Sequence, residues 1–224
     1  MTSPLPSGHL MELLARVMDY PGPETASARE ELLALLDDWR PEAAELLRRH
    51  IAELADTSLY GQQERYAATF DVNPAVCLYV GYHLFGDSYP RGAFMSRLAG
   101  EYQKAGFTVE RELPDHFPVV LRYVACSEAV DALELVDDAV VPALRTIVGA
   151  FEETSNPYAA LLEAALRTFE RPENAEVQEP EETNADGRRT LALPVFSNRE
   201  DRALTPSPEA AAMIAGRSGE GKTP

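Results

Sequence analysis

The sequence predicts an all-α fold: a single multi-helix, bundle-like domain over residues 1–171 followed by a disordered acidic tail over 172–224. Three observations carry this reading. Apolar residues recur at helical spacing through most of the first 169 positions. No alternating run is longer than Phe107-Thr108-Val109, and no segment repeats at a fixed length. Helix punctuation is explicit, with Asn-Pro starts at 73–74 and 156–157. The 45% hydrophobic content of the 224 residues is enough to fill one core.

In chain order, Pro4, Pro6 and Gly8 argue against a helix in the first eight residues. Leu10, Leu13, Leu14, Val17 and Met18 then follow amphipathic spacing, and Tyr20-Pro21-Gly22-Pro23 ends that helix. A second helix from about Thr25 turns Leu32, Leu33, Leu35, Leu36 and Trp39 inward. Pro41 opens a third, with Leu46, Leu47, Ile51 and Leu54 on one side. Thr57 or Ser58 caps a fourth, which runs through Tyr66 toward Phe70.

Residues 66–125 form the densest apolar block. Asn73-Pro74 predicts a helix over 75–85 (AVCLYVGYHLF) in which His83 is the only strongly polar side chain. A helix apolar on all sides belongs inside a fold, and this one is too short for a bilayer, which needs roughly 20 residues. Gly86-Asp87-Ser88 ends it, and Pro90 starts another through Phe94, Leu98 and Tyr102. Gly106 suits a left-handed cap, with Phe107 packing back on the last turn. The stretch Glu112-Leu113-Pro114-Asp115-His116-Phe117-Pro118 then opens a helix carrying Val119, Val120, Tyr123 and Val124. Asp115 is placed to cap it.

Beyond this block Ser127 can cap a long helix with apolar Leu133, Leu135, Val136, Val140, Val141, Leu144, Ile147 and Val148. Pro142 kinks or divides it, because proline removes a backbone donor. Asn156-Pro157 starts a final helix, Tyr158 to Phe169. The segment PENAEVQEPEETNADGRR is polar and acidic with nothing to bury, hence the expectation of disorder. Within the tail, LALPVF (191–196) is an apolar island, and Ser207-Pro208-Glu209 can start a brief helix through Ile214. The island suits docking to a partner and folding back on its own domain equally.

Taken together, Tyr66…Thr69-Phe70-Asp71, Gly86-Asp87…Arg91-Gly92, Tyr102…Ala105-Gly106-Phe107 and Glu112-Leu113-Pro114-Asp115-His116…Pro118 resemble the assembly chaperones of nitrate reductase and related molybdoenzymes. This is the NarJ-type or delta-subunit family, related to the TorD/DmsD chaperones. Leu13-Leu14…Tyr20-Pro21 and Ser155-Asn156-Pro157-Tyr158-Ala159-Ala160-Leu161 extend the likeness over most of residues 10–169. Ser88-Tyr89-Pro90 departs from it, since the family more often has a charged, proline-free run there.

The resemblance implies a non-enzymatic, cytoplasmic chaperone that binds the apo catalytic subunit of a nitrate-reductase-like molybdoenzyme, through a segment at that subunit's N-terminus. It would hold the subunit open for insertion of the bis-molybdopterin guanine dinucleotide cofactor and keep no cofactor itself. Selenate, chlorate, dimethyl sulfide and ethylbenzene oxidoreductases are alternative clients. The implied client-binding residues are Tyr66, Phe70 and Asp71 on one wall of a groove and Asp115 and His116 on the other. Tyr79 and Tyr82 join them from the central helix.

Composition agrees with that class. Thirty-seven acidic residues against 20 basic give a formal net charge of −17, which disfavours nucleic acid and anionic membrane surfaces and suits a basic partner. Acidity that merely keeps a helical protein soluble is the plainer account of the same number. Cys77 and Cys126 form no C-x-x-C motif and read as buried thiols of a reducing compartment. The first residues lack a basic region and a long apolar core, so no secretory signal is expected.

Catalytic signatures are missing: no P-loop, no G-x-G-x-x-G and no G-x-S-x-G. His9 with Glu12 and His50 with Glu53 stand three apart on helices, yet a di-metal bundle site wants Glu-x-x-His in that order plus further inward carboxylates. Partly buried or surface histidines are the expectation there, a hydrogen-bonded core histidine at His83, and no metal site. A helical-bundle metalloenzyme is the alternative from a different class.

Overall fold

The computed structural model describes residues 5–127, 130–151 and 156–170. The expectations of a disordered tail, of the 191–196 island and of a helix start at Ser207 lie outside the described residues, as do positions 1–4.

Among the described residues every regular element is a helix, as the sequence predicts. Helix α1 (Gly8–Met18) starts where the Ser7 hydroxyl accepts from the Leu10 amide at 3.2 Å. Gly8 is therefore helical rather than a block, and the ring of Pro6 is buried. Helix α2 (Thr25–Trp39) lies against α1 and against α3 (Pro41–Leu54), with Leu32 and Leu36 wholly buried and Leu33, Leu35 and Trp39 partly so. Ser58 caps α4 (Leu59–Phe70), its hydroxyl accepting from Gly61 at 3.2 Å.

The helix expected over 75–85 is instead two pieces. Asn73 does cap, accepting from the Ala75 amide at 3.1 Å, but Pro74–Val76 makes only a 3₁₀ turn. Cys77 and Tyr79 are extended, and α5 covers just Val80–Phe85. The cause is tertiary. The Val80 amide donates to the Asp115 carbonyl at 2.8 Å and the Phe117 amide to the Leu78 carbonyl at 2.9 Å. These bonds form an isolated antiparallel bridge between Tyr79 and His116. Pairing with a distant segment outweighs a continuous local helix.

Helix α6 (Tyr89–Lys104) ends as expected. Gly106 has φ +68°, and the Phe107 amide returns to the Tyr102 carbonyl at 2.8 Å. Helix α7 (Phe117–Cys126) packs along α1. Past residues 128–129, which lie outside the described residues, come α8 (Val130–Leu135), a π-helical turn (Val136–Val140) and α9 (Val141–Ala150). Pro142 explains the π turn: an α-helix would aim the Asp138 carbonyl at the amide proton that proline lacks. The widened turn bonds the Val141 amide to Val136 instead. Ser127 turns its hydroxyl back to the Tyr123 carbonyl at 2.8 Å, closing α7.

Asn156 starts α10 (Pro157–Phe169) as predicted, accepting from the Tyr158 amide at 3.0 Å. Helix α10 packs on α3 and α9, and α9 packs on α5. Tyr158, Phe117, Leu14, Met18, Leu47 and Leu144 lie at the centre, each less than 2% exposed.

Two smaller expectations change. Cys77 is half-buried, but Cys126, the last residue of α7, is exposed; both are free thiols. His9 is exposed, as expected of a surface histidine, and pairs with Glu31 of α2 at 2.8 Å. His50 is wholly buried, with Nδ1 2.9 Å from the Pro157 carbonyl, and burial holds its pKa down at about 4. His83 bonds the Cys77 carbonyl at 2.6 Å. Among the described residues no group of three or more His, Cys, Asp or Glu could hold a metal ion, and no helix is long and apolar enough to cross a membrane.

Candidate functional site

The turn before α7 is anchored from below. Asp115 is completely buried, and its carboxylate accepts from Arg91 of α6, Nε to Oδ2 at 2.9 Å. The guanidinium also lies over the rings of Tyr79 and Tyr82, 5.4 and 5.7 Å from their centroids. Tyr102 donates to the Pro114 carbonyl at 2.8 Å. Asp115 is thus no helix cap. His116 takes the N-cap position of α7 without a side-chain cap bond, and the Asp115 carboxylate serves Arg91. The reason is solvation: a buried carboxylate needs a cation more than an amide.

The His116 ring lies 5.3 Å from that of Tyr79 and is 6% exposed. Burial lowers its pKa; Glu112 and Asp19 oppose that shift, and Arg122 adds to it. Its Nδ1 has no partner among the described residues. Tyr79 donates to Glu112 at 3.3 Å, and burial with that carboxylate pushes its pKa up to about 12.

Tyr66 and Phe70 are each 6% exposed and form an aromatic cluster with Tyr158, ring centroids 4.9–5.7 Å apart. They are core residues rather than an open wall. The Tyr66 hydroxyl donates to the Met18 carbonyl at 3.3 Å, and its pKa is raised by burial, then by Asp19, Asp71 and Glu112. Those three carboxylates come from the end of α1, the end of α4 and the loop before α7. All three lie within electrostatic range of Tyr66. Each precedes an exposed apolar residue: Tyr20 (53% exposed), Val72 (75%) and Leu113 (44%). Tyr20 sets its ring edge-on against Tyr66 at 5.5 Å.

Asp19 and Glu112 lie within electrostatic range of both Tyr66 and His116. Asp71 is exposed at the end of α4, and Tyr79 and Tyr82 are half-buried. Asp19 is paired with Arg122 at 2.8 Å, whereas Asp71 and Glu112 form no ion pair among the described residues. Glu112 also stands at the rim of a cavity of about 430 Å³ between the end of α6 and the 107–114 segment. Ala99, Tyr102, Phe107, Val109 and Pro114 line it.

The family model described as "Nitrate reductase delta subunit" matches residues 33–179, well over half of the chain. The chain belongs to the nitrate reductase delta subunit family.

Relatives agree with that membership. It is 33% identical over 153 residues to nitrate reductase-like protein NarX of Mycobacterium tuberculosis, covering 68% of this chain but only 23% of NarX. It is 30% identical over 150 residues to a Bacillus subtilis protein named as a nitrate reductase molybdenum cofactor assembly chaperone, NarJ, covering 63% of this chain and 81% of the relative. A crystal structure from Archaeoglobus fulgidus, described as a redox enzyme maturation protein, shares the fold. Its TM-score is 0.51 at 23% identity, over 75% of this chain and 95% of that one. The Bacillus subtilis relative is named as an assembly chaperone and the Archaeoglobus fulgidus protein as a maturation protein; neither name is that of an enzyme.

The delta-subunit match includes Asp71, Val72, Glu112, Leu113 and His116 but begins after Asp19 and Tyr20. Sequence reasoning did not place Asp19, Tyr20, Val72, Glu112 and Leu113 in the candidate site. Tyr20, Glu112 and Leu113 stand in stretches that carry the family likeness, whereas Asp19 and Val72 have only the local pattern of an acid followed by an apolar residue just past a helix end, which is too common to single them out.

Proposed function

We propose that this chain is a cytoplasmic redox-enzyme maturation chaperone. Its client is the apo catalytic subunit of a nitrate-reductase-like molybdoenzyme, bound through a basic, partly apolar segment near that subunit's N-terminus. The observation that supports this best is that Tyr20, Val72 and Leu113 are exposed, each directly after a carboxylate within electrostatic range of Tyr66, with the Tyr20 ring set against Tyr66 at 5.5 Å. Carboxylates beside exposed apolar side chains suit a segment that carries both chemistries. Exposed charge pairs are worth roughly 0–1 kcal/mol each, so they set orientation and on-rate, while apolar cover supplies most of the affinity. Nothing in the patch presents an activated nucleophile or an acid–base pair. Asp115 is committed to Arg91, and the His116 ring packs at a tilt against Tyr79.

The test is capture by the tagged full chain from cells growing on nitrate without oxygen, followed by identification and cofactor analysis of what is retained. A nitrate-reductase-like catalytic subunit lacking its molybdenum cofactor is expected. Retention of no molybdoenzyme subunit, or only of one already loaded, would sink the proposal.

A further inference from the structure

The tail carries a segment with the chemistry that the acidic patch is built to take. From 173 to 187 every charged residue is acidic: Glu173, Glu176, Glu179, Glu181, Glu182 and Asp186. Arg188-Arg189 then breaks the run and is followed, after Thr190, by Leu191-Ala192-Leu193-Pro194-Val195-Phe196. A basic pair joined to an apolar hexamer is out of place in an acidic tail. On the domain, Glu112 has no cationic partner among the described residues, and it stands beside the 430 Å³ cavity lined by Tyr102, Phe107 and Val109. That volume is within the range of ligand-binding pockets.

We propose that residues 188–196 dock in cis on this face as an internal competitor for the client. Arg188 and Arg189 meet Glu112, and the apolar hexamer covers Leu113 and enters the cavity beside Phe107. The inference rests on the client-binding reading of the patch and adds its regulation.

Reach permits it. The 17 residues from 171 to 187 span at most about 56–61 Å when extended, whereas a domain of this size is about 40 Å across. A tethered segment acts at an effective concentration on the order of millimolar. With a local dissociation constant of about 0.1–0.5 mM, it would occupy the face most of the time and weaken client binding about threefold to tenfold. A client that binds in the micromolar range or tighter displaces it, so the device filters weak partners without blocking the intended one.

Hydrogen exchange on the full-length chain tests this with no client present. Peptides spanning 107–114 and 188–196 should both exchange several-fold more slowly in the wild type than in Arg188→Glu/Arg189→Glu, independently of protein concentration. Leu193→Asp should release both peptides as well. Adding Glu112→Lys to the charge-reversed chain should restore part of the protection. Equal exchange in wild type and variants would overturn the proposal. So would protection that grows with protein concentration, because the segment would then sit on a second copy. Both readouts stand even if no client is ever captured. A chaperone that captures its client yet shows no tail protection would lose this inference alone.

Discussion

Arg91 and Asp115 join α6 to the turn before α7 through a carboxylate that has no contact with solvent, Nε to Oδ2 at 2.9 Å. Removing one member of a buried pair leaves an uncompensated charge, which costs about 3–5 kcal/mol. Arg91 keeps 14% of its side chain exposed and can recover some hydration, so the low end applies. Asp115→Ala should destabilise the domain by about 3 kcal/mol, lowering the melting temperature by about 6–12 °C. An unchanged melt would show that the pair is not formed. Loss of client binding in Asp115→Ala would therefore report folding, and His116→Ala is the cleaner probe of recognition.

Gly81 makes room for that pair. A Cβ built there would lie 2.8 Å from Asp115 Oδ2, 3.0 Å from the Phe94 ring and 3.2 Å from Arg91 Cγ. Gly81→Ala should therefore cost about 1–3 kcal/mol through overpacking, although alanine is the better helix former. In Arg91→Ala/Asp115→Ala, where two of the three obstacles are gone, the penalty should shrink by half or more. A penalty equal in both backgrounds would place the clash on Phe94 alone.

Most of the fold is written in local chemistry. Ser58, Asn156, Pro41 and Gly106 each mark a helix boundary that the structure keeps. Gly106 also yields a measurement: at φ +68° a β-branched side chain is strained, so Gly106→Val should cost about 1 kcal/mol or more in a chemical denaturation curve. An unchanged midpoint would show that the α6 boundary is misplaced. What could not be read from the sequence depends on partners far along the chain. The break at Cys77–Tyr79 needs the carbonyl of Asp115 and the amide of Phe117, and no local pattern announces a bond across 35 residues or more. Asp115 looked like a cap because its position allows one; only the placement of Arg91 reveals the stronger claim on it. Tyr66 and Phe70 carry the family likeness, but the likeness does not distinguish a core aromatic from an exposed one.

Stability should fall as the solution is acidified. Burial holds His50 at about 4 against 6.5 for the free side chain, and burial also lowers His83 and His116. The neutral form is thus favoured by folding. Above pH 6.5 both states are neutral and the contribution is complete. As pH falls from 6.5 toward 4, the unfolded chain takes up the proton first and stability is lost. For His50 alone the loss between pH 7 and 5 is about 2 kcal/mol. Denaturant titrations at pH 7 and pH 5 measure it, and His50→Gln should flatten the difference by about that amount. An equal slope in wild type and variant would mean that His50 is solvated.

Recognition should separate from stability at the exposed members of the patch. Tyr20, with 53% of its surface open, and Leu113, with 44%, can be covered by a client without disturbing the core. Covering about 100 Å² of apolar surface contributes up to about 2 kcal/mol. Tyr20→Ala and Leu113→Ser should each weaken binding of the client's N-terminal peptide about fivefold to thirtyfold, with melting temperatures within a few degrees of wild type. Tyr66→Ala and Phe70→Ala should instead lower the melting temperature sharply, by about 3–5 kcal/mol of stability, because they open the cluster with Tyr158. Glu112→Lys should slow association and reverse part of its salt dependence while changing dissociation little, because a rim charge steers more than it holds. Isothermal titration, association kinetics at 0.05 and 0.5 M salt (about 14 and 4 Å Debye length) and parallel melts give all three readings. If Tyr20→Ala and Leu113→Ser bind like wild type while His116→Ala does not, the client lies along the Tyr79–His116 bridge and the acidic patch is only a solvated face.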